Sequence, residues 1–233
     1  MESKDYLYLI WKNLDTKDVY TVGILTKYSD HYEFKYDFEI NEAIESGFRF
    51  MLPFIDKEKT YKSDKLFPAF STRVPDSKRD DIQDILNTYE MDKYDTYELI
   101  KRCGAIGMDG FSLIDPLINN NEPRIKRFFR AAGVDIALRC KKNAEECKMI
   151  EKIVSESDSI LFEIENDNIH NEPAIKLIEE KSNKHIGYIP KYYCKGIYKL
   201  LKNKYKYKCK IYSINKWDCD ECILLEVIFE KSE

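Results

Sequence analysis

Three short runs near the start of the chain are rich in aromatic and β-branched residues: Tyr6 to Ile10, Tyr20 to Thr26 and Tyr32 to Tyr36. Their strand-favouring composition, with the turn-forming Asn13-Leu14-Asp15 and Ser29-Asp30 between them, predicts three antiparallel strands. Asn41 to Glu45 reads as a short helical turn, and Phe48 to Phe54 as an apolar, aromatic stretch interrupted by Pro53. From Pro75 the pattern becomes helical. Ile82, Ile85, Leu86 and Tyr89 recur at helical spacing behind the candidate caps Asp76 and Ser77. A second helix is predicted to start near Asp95-Thr96, to carry Leu99, Ile100 and Cys103 inward, and to end at a left-handed Gly104. Gly107 to Ile114 then reads as a returning strand.

The segment Asp115 to Pro123 combines two prolines with an Asn run, a loop composition, and marks a boundary between domains at residues 1–118 and 119–233. The second half opens with basic and apolar residues from Arg124 to Leu138, followed by a stretch from Cys147 to Val154 with helical potential. Ser159 to Ile164 and Ala174 to Glu179 read as strands flanking the polar loop Glu165 to Pro173, and His185 to Ile189 as a further strand closed by Pro190. Lys191 to Leu201 is helical in pattern, with Cys194, Ile197, Tyr198 and Leu201 expected on one face. Tyr205 to Ile214 and Cys222 to Phe229 close the chain as strands. The expected fold class is α+β: a small β-rich subdomain with two helices, then a small twisted β-barrel with short helices.

Composition adds limits. The chain has 233 residues, 34% charged and 43% hydrophobic, which describes a folded globular protein. Thirty-eight Lys+Arg against 42 Asp+Glu leave a net charge of -4, too balanced for a wholly basic nucleic-acid binder. The balance hides a division. Residues 1–118 carry 16 basic against 23 acidic side chains, whereas the remainder carries 22 against 19, so any anion-binding surface is local to the second half. No apolar run reaches the ~18 residues of a membrane helix, and the N-terminus lacks a signal-peptide core, so a cytoplasmic location is expected. Seven scattered cysteines, an odd number, suit reduced thiols better than a disulfide framework.

The segment Lys191 to Lys210 holds eight lysines and no acid. Lys204, Lys206, Lys208 and Lys210 alternate with Tyr205, Tyr207 and Cys209, so a strand there puts all four ammonium groups on one face. That face repels itself unless anions meet it, and a phosphate backbone with bases stacking on nearby tyrosines is one natural counterpart. An exposed edge strand protected by lysine against aggregation is the other. Other chemistry is thinner. Cys219 and Cys222 form a CxxC pair, half of a tetrahedral zinc site, but Cys140 and Cys147 have the wrong spacing to complete it. His31, His170 and His185 have neither a glycine-elbow serine nor a second metal-ligating histidine beside them. Gly104, Gly107 and Gly110 lack the lysine and following helix of a phosphate loop. No catalytic residue, metal or cofactor is therefore expected, and the chain reads as a non-enzyme.

In the first half, the ordered landmarks VGILTK (22–27), FKYD (34–37), LPF (52–54), LFPAFSTRVPDSKR (66–79) and YELIKRCG (97–104) resemble the N-terminal subdomain of HipA-type serine/threonine kinases. The kinase motifs that follow it in those enzymes do not follow here, which makes the half similar to HipS-type proteins. Those are separately encoded and restrain a HipA-like toxin kinase. The resemblance implies an antitoxin-type regulator with a HipA-like kinase partner. The loop Asp56 to Phe70 is the expected contact surface, with Tyr61, Leu66 and Phe67 as anchors if they are exposed rather than in the core.

The second half resembles a HIRAN domain, a module that recognises single-stranded DNA ends, through EIENDNIHNEPAIKLI (163–178) and HIGYIPK (185–191). Glu165, Asn168, Ala174, Ile175, Gly187 and Tyr188 match the family pattern. Its Tyr-Asp pair is replaced by His170-Asn171, and its early Gly-x-Arg-Tyr strand is matched to Gly133 to Ile136, with Asp135 where arginine is usual. The resemblance implies that Asn168, His170, Asn171, Tyr188 and Lys191 meet nucleic acid, with the lysine face Lys204, Lys206, Lys208 and Lys210, read from its spacing, as a substitute phosphate contact. His170 would stack on a base, and Asn171 would accept a hydrogen bond without charge assistance. The rival to the antitoxin reading is accordingly a single-stranded DNA-end-binding protein of repair or antiphage sensing.

Overall fold

The computed structural model describes residues 5–107, 109–118, 120–138, 150, 153–165, 174–215 and 221–232. The chain divides into two compact units, Met1–Asp115 and Pro116–Glu233.

The first unit is built on one antiparallel sheet. The three predicted strands form as β1 (Asp5–Lys12), β2 (Val19–Lys27) and β3 (Tyr32–Tyr36). They are flanked by β4 (Tyr61–Ser63) and β5 (Phe111–Ile114) in the order β4-β3-β2-β1-β5. A register shift between Leu9 and Ile10 breaks the alternation of β1, so Leu9, Ile10 and Trp11 are all buried in succession. The turn after β3 leads into α1 (Ile40–Glu45), and the sheet is covered by α2 (Pro68–Ser71), α3 (Ile82–Thr88) and α4 (Thr96–Cys103).

Helix α4 is capped as the sequence predicts. The Asp95 side chain accepts the Glu98 N–H at 2.9 Å, and Gly104 closes the helix at φ 79°. For α3 the expected caps are displaced. Asp81 occupies the N-cap but makes no cap hydrogen bond, its carboxylate being taken by Arg79, while Asp76 accepts the Lys78 N–H at 2.8 Å in a separate turn. The returning strand is shorter than expected and starts at Phe111. Its outer edge is closed by the preceding loop, where the Leu113 N–H donates to the Gly104 carbonyl and the Gly107 N–H to the Phe111 carbonyl, each at 2.9 Å.

The second unit contains two three-stranded antiparallel sheets. One has the order β10-β11-β6, made of β6 (Arg124–Arg130), β10 (Tyr205–Ile214) and β11 (Ile223–Lys231). The other joins β7 (Ile160–Glu165), β8 (Ala174–Glu179) and β9 (Lys184–Tyr188) in sequence order. Among the described residues the expected closed barrel is not seen: the two sheets are joined by isolated bridges, Ser159 with Lys210 and Ala132 with Tyr188, rather than by a ladder. Between β7 and β10 the reason is visible. The Phe162 N–H, which a ladder would point at a β10 carbonyl, donates instead to the Tyr207 hydroxyl at 2.8 Å, and the strand edges separate.

Two local readings also need correction. Gly133 to Ile136, matched above to a family strand, lead instead into the helix α5 (Val134–Leu138), because Gly133 adopts φ 63° and turns the chain. Ile136 there is 78% exposed. In α6 (Lys191–Lys202) the buried set is Tyr193, Cys194, Gly196, Ile197 and Leu200, rotated from the predicted face, so Tyr198 and Leu201 are only half-buried. The helix packs its Gly196 against the Pro116-Leu117 backbone, a contact no local pattern encodes. Most of the Cys147 to Val154 stretch lies outside the described residues, as does Cys219 of the CxxC pair.

Candidate functional site

Strand β10 displays the lysine row as its period requires: Lys206, Lys208 and Lys210 are exposed, while Tyr205, Cys209 and Ile211 are buried. Lys204 stands in the turn that enters the strand, at φ 63°, and is exposed as well. The register shows what the row faces. Lys206 lies opposite Glu230, Lys208 opposite Ile228 and Lys210 opposite Glu226 on β11, and β6 places Arg124, Lys126 and Phe128 across from the same three β11 residues.

Glu226 is the counter-charge of this face. Lys210 Nζ lies 2.7 Å from its Oε2, Lys126 Nζ 2.8 Å from its Oε1, and its side chain is only 8% exposed. Burial alone would push its carboxyl pKa up, but the hydrogen bonds from Lys126 and Lys210 outweigh that and hold it below the usual glutamate value. Glu230 is claimed by Arg124. Lys204, Lys206 and Lys208 have no carboxylate partner among the described residues.

Beside the row, in the gap between β7 and β10, lies a cleft of about 630 Å³. Lys208, Lys210, Glu180 and Glu226 supply its charges, and Ile160, Leu161 and Ile228 its apolar wall. Tyr207 borders it with its ring stacked on Phe162 at 4.2 Å. Cys209 also lines it, and burial pushes that thiol well above its ordinary pKa, so it stays protonated at neutral pH.

Of the remaining expected nucleic-acid residues, Tyr188 and Lys191 are described and do not line the cleft. Tyr188 ends β9, set edge-on to His185 at 4.8 Å, and exchanges backbone hydrogen bonds with Ala132. Gly187, from the same motif, has φ 146°, and a Cβ there would come 2.8 Å from the Ala132 carbonyl oxygen, so this glycine is what permits the bridge. Lys191 is exposed at the first position of α6. Asn168, His170 and Asn171 lie outside the described residues. Among those described, no group of three or more His, Cys, Asp or Glu side chains is placed to hold a metal ion, and no helix is long and apolar enough to cross a membrane.

The first unit offers a surface of different character. Phe34, Phe54 and Phe70 form an aromatic centre, with Phe34 to Phe54 ring centroids 4.5 Å apart and Phe54 to Phe70 5.2 Å apart. Phe67 belongs to this core, 5.1 Å from Phe54 and 8% exposed, and Leu66 packs against it, so neither stands out as a docking anchor. The Tyr61 ring lies 5.0 Å from Phe54, and its hydroxyl accepts the Asp56 N–H at 2.8 Å. Tyr36 donates to the Phe54 carbonyl at 2.9 Å and accepts the Met51 N–H at 3.2 Å. With Phe54 held inward from both sides, its neighbours point out: Leu52 is 77% and Ile55 65% exposed. Sequence reasoning missed this pair, although the apolar LPFI run contains it.

Residues 17–110 match the model of the HipA N-terminal domain, a match that covers most of the first unit and suggests a HipA-related, toxin–antitoxin context. No curated protein and no solved structure matches the chain. The likeness of residues 119–233 to a HIRAN domain rests on sequence alone.

Proposed function

We propose that the chain is a non-catalytic, two-module regulator of the antitoxin type. The first unit docks on a separately encoded HipA-like kinase and restrains it, and the second, HIRAN-like unit binds single-stranded nucleic acid. The observation that carries this reading is the HipA N-terminal domain match at residues 17–110, which is followed by a unit of antiparallel sheets. Leu52 and Ile55 are the proposed anchors, since exposed aliphatic side chains held by a rigid loop bury area with little loss of conformational freedom. Tyr61 acts behind them as the staple of the loop. Mixing the purified protein with a separately encoded HipA-like kinase from the same source tests the proposal: co-elution and suppressed autophosphorylation are expected, and their joint absence refutes it.

A second reading, in which nucleic-acid binding is the main activity, is favoured by the row Lys204, Lys206 and Lys208, which has no carboxylate partner among the described residues, and by the open cleft that Lys208 lines. It expects affinity for single-stranded DNA ends that falls with salt by about 0.7 log units per log unit of salt for each phosphate contacted. It also expects binding to vanish when Lys204, Lys206, Lys208 and Lys210 are replaced together.

A further inference from the structure

We infer that Glu226 is a built-in counter-charge that divides the lysine row, leaving Lys204, Lys206 and Lys208 to meet phosphates and withdrawing Lys210 from that role. The inference rests on the nucleic-acid reading of the second unit and specifies how that site chooses its contacts.

Four lysines of similar exposure look equivalent along β10, but their surroundings differ. Lys208 faces the apolar Ile228, and Lys206 faces a glutamate already claimed by Arg124. Among the described residues neither ammonium group is in an ion pair, so a phosphate brought to either has no paired carboxylate to displace. Lys210 is held 2.7 Å from Glu226, whose carboxylate also carries Lys126 and is too enclosed to swing into water. A phosphate at Lys210 has to share the ammonium with that carboxylate, and two anions on one cation repel each other.

The same residue grades the cleft. In its lining the ammonium groups of Lys208 and Lys210 are accompanied by the carboxylates of Glu180 and Glu226, which weaken its attraction for an anion, whereas Ile160, Leu161 and Ile228 offer apolar surface. A single strand therefore runs its phosphates along Lys204, Lys206 and Lys208 and turns an uncharged base toward the cleft at Lys208.

The test is the salt dependence of binding to a fluorescent oligothymidylate, measured for the intact protein and for K206Q, K208Q, K210Q and E226Q. For K206Q and K208Q the slope of log affinity against log salt is expected to fall by about 0.7 each, for K210Q to hold, and for E226Q to steepen by about 0.7 as Lys210 is released. Equal losses at Lys208 and Lys210, or an unchanged slope in a folded E226Q protein, overturn the inference while leaving nucleic-acid binding intact. If E226Q does not fold, the comparison of K208Q with K210Q decides alone. Failure of the intact protein to bind the oligonucleotide at low salt overturns both the inference and the reading beneath it.

Discussion

Tyr207 and Phe162 stack with ring planes 4° apart while the Tyr207 hydroxyl accepts the Phe162 backbone N–H at 2.8 Å. One side chain thus supplies both the apolar contact and the hydrogen bond that a strand ladder would otherwise give the edge of β7. Tyr207→Phe keeps the stack and removes the acceptor, leaving a part-buried N–H without its partner. Urea unfolding of the variant is expected to show a loss of about 1–2 kcal/mol, and a change below about 0.3 kcal/mol would mean that water replaces the hydroxyl at no cost.

Gly196 sits inside α6, where glycine is ordinarily a liability and alanine gains up to about 1 kcal/mol. Here the sign reverses. A Cβ at this position would collide with the Pro116 carbonyl oxygen and come 2.9 Å from the Leu117 backbone. Gly196→Ala is expected to destabilise the second unit by at least about 1–3 kcal/mol, read as a lowered melting transition.

His31 stacks on Tyr28 at 4.4 Å, with Nδ1 2.7 Å from Asp30 and Nε2 3.2 Å from Glu33, which also binds Lys62. Hydrogen bonds to Asp30 and then Glu33 raise the histidine pKa, and both carboxyls are held below their usual values. A histidine whose pKa rises on folding stabilises the fold below its unfolded value, about 6.5, and that contribution is lost as pH rises through the folded value. The difference in melting temperature between the intact protein and His31→Gln should therefore be largest in mild acid and shrink toward pH 8. A difference that grows with pH would contradict the protonated clamp.

The docking surface and the aromatic core of the first unit are separable by mutation. Leu52→Asp with Ile55→Asp is expected to leave the melting temperature nearly unchanged, because both side chains already face solvent, and to abolish co-elution with the kinase. Phe67→Ala opens the core and should cost about 3–5 kcal/mol. If the double variant still co-elutes, the anchors lie elsewhere on the unit.

Much of the first unit is legible in its pattern, since the strand-favouring runs, the Asp95 cap and the Gly104 stop are all decided by near neighbours. The rest depends on distant ones. Whether Phe67 is a core residue or an anchor is settled by Phe54 and Phe34, and the face of α6 by the passing Pro116-Leu117 backbone. At the candidate nucleic-acid face, the exposure of Lys206, Lys208 and Lys210 follows from the period of two. The carboxylate that neutralises one of them becomes visible only with the register, which sets Glu226 sixteen residues beyond Lys210 in sequence and directly across from it in space.

The loop that seals the outer edge of β5 has a bearing on how the first unit meets other proteins. With the Gly104 carbonyl and the Gly107 amide occupying that rim, and only the three residues of β4 at the opposite margin, the sheet offers little template for an incoming strand. Recognition is left to side chains, so loss of affinity should track the identity of a few surface residues and be insensitive to agents that compete for backbone pairing.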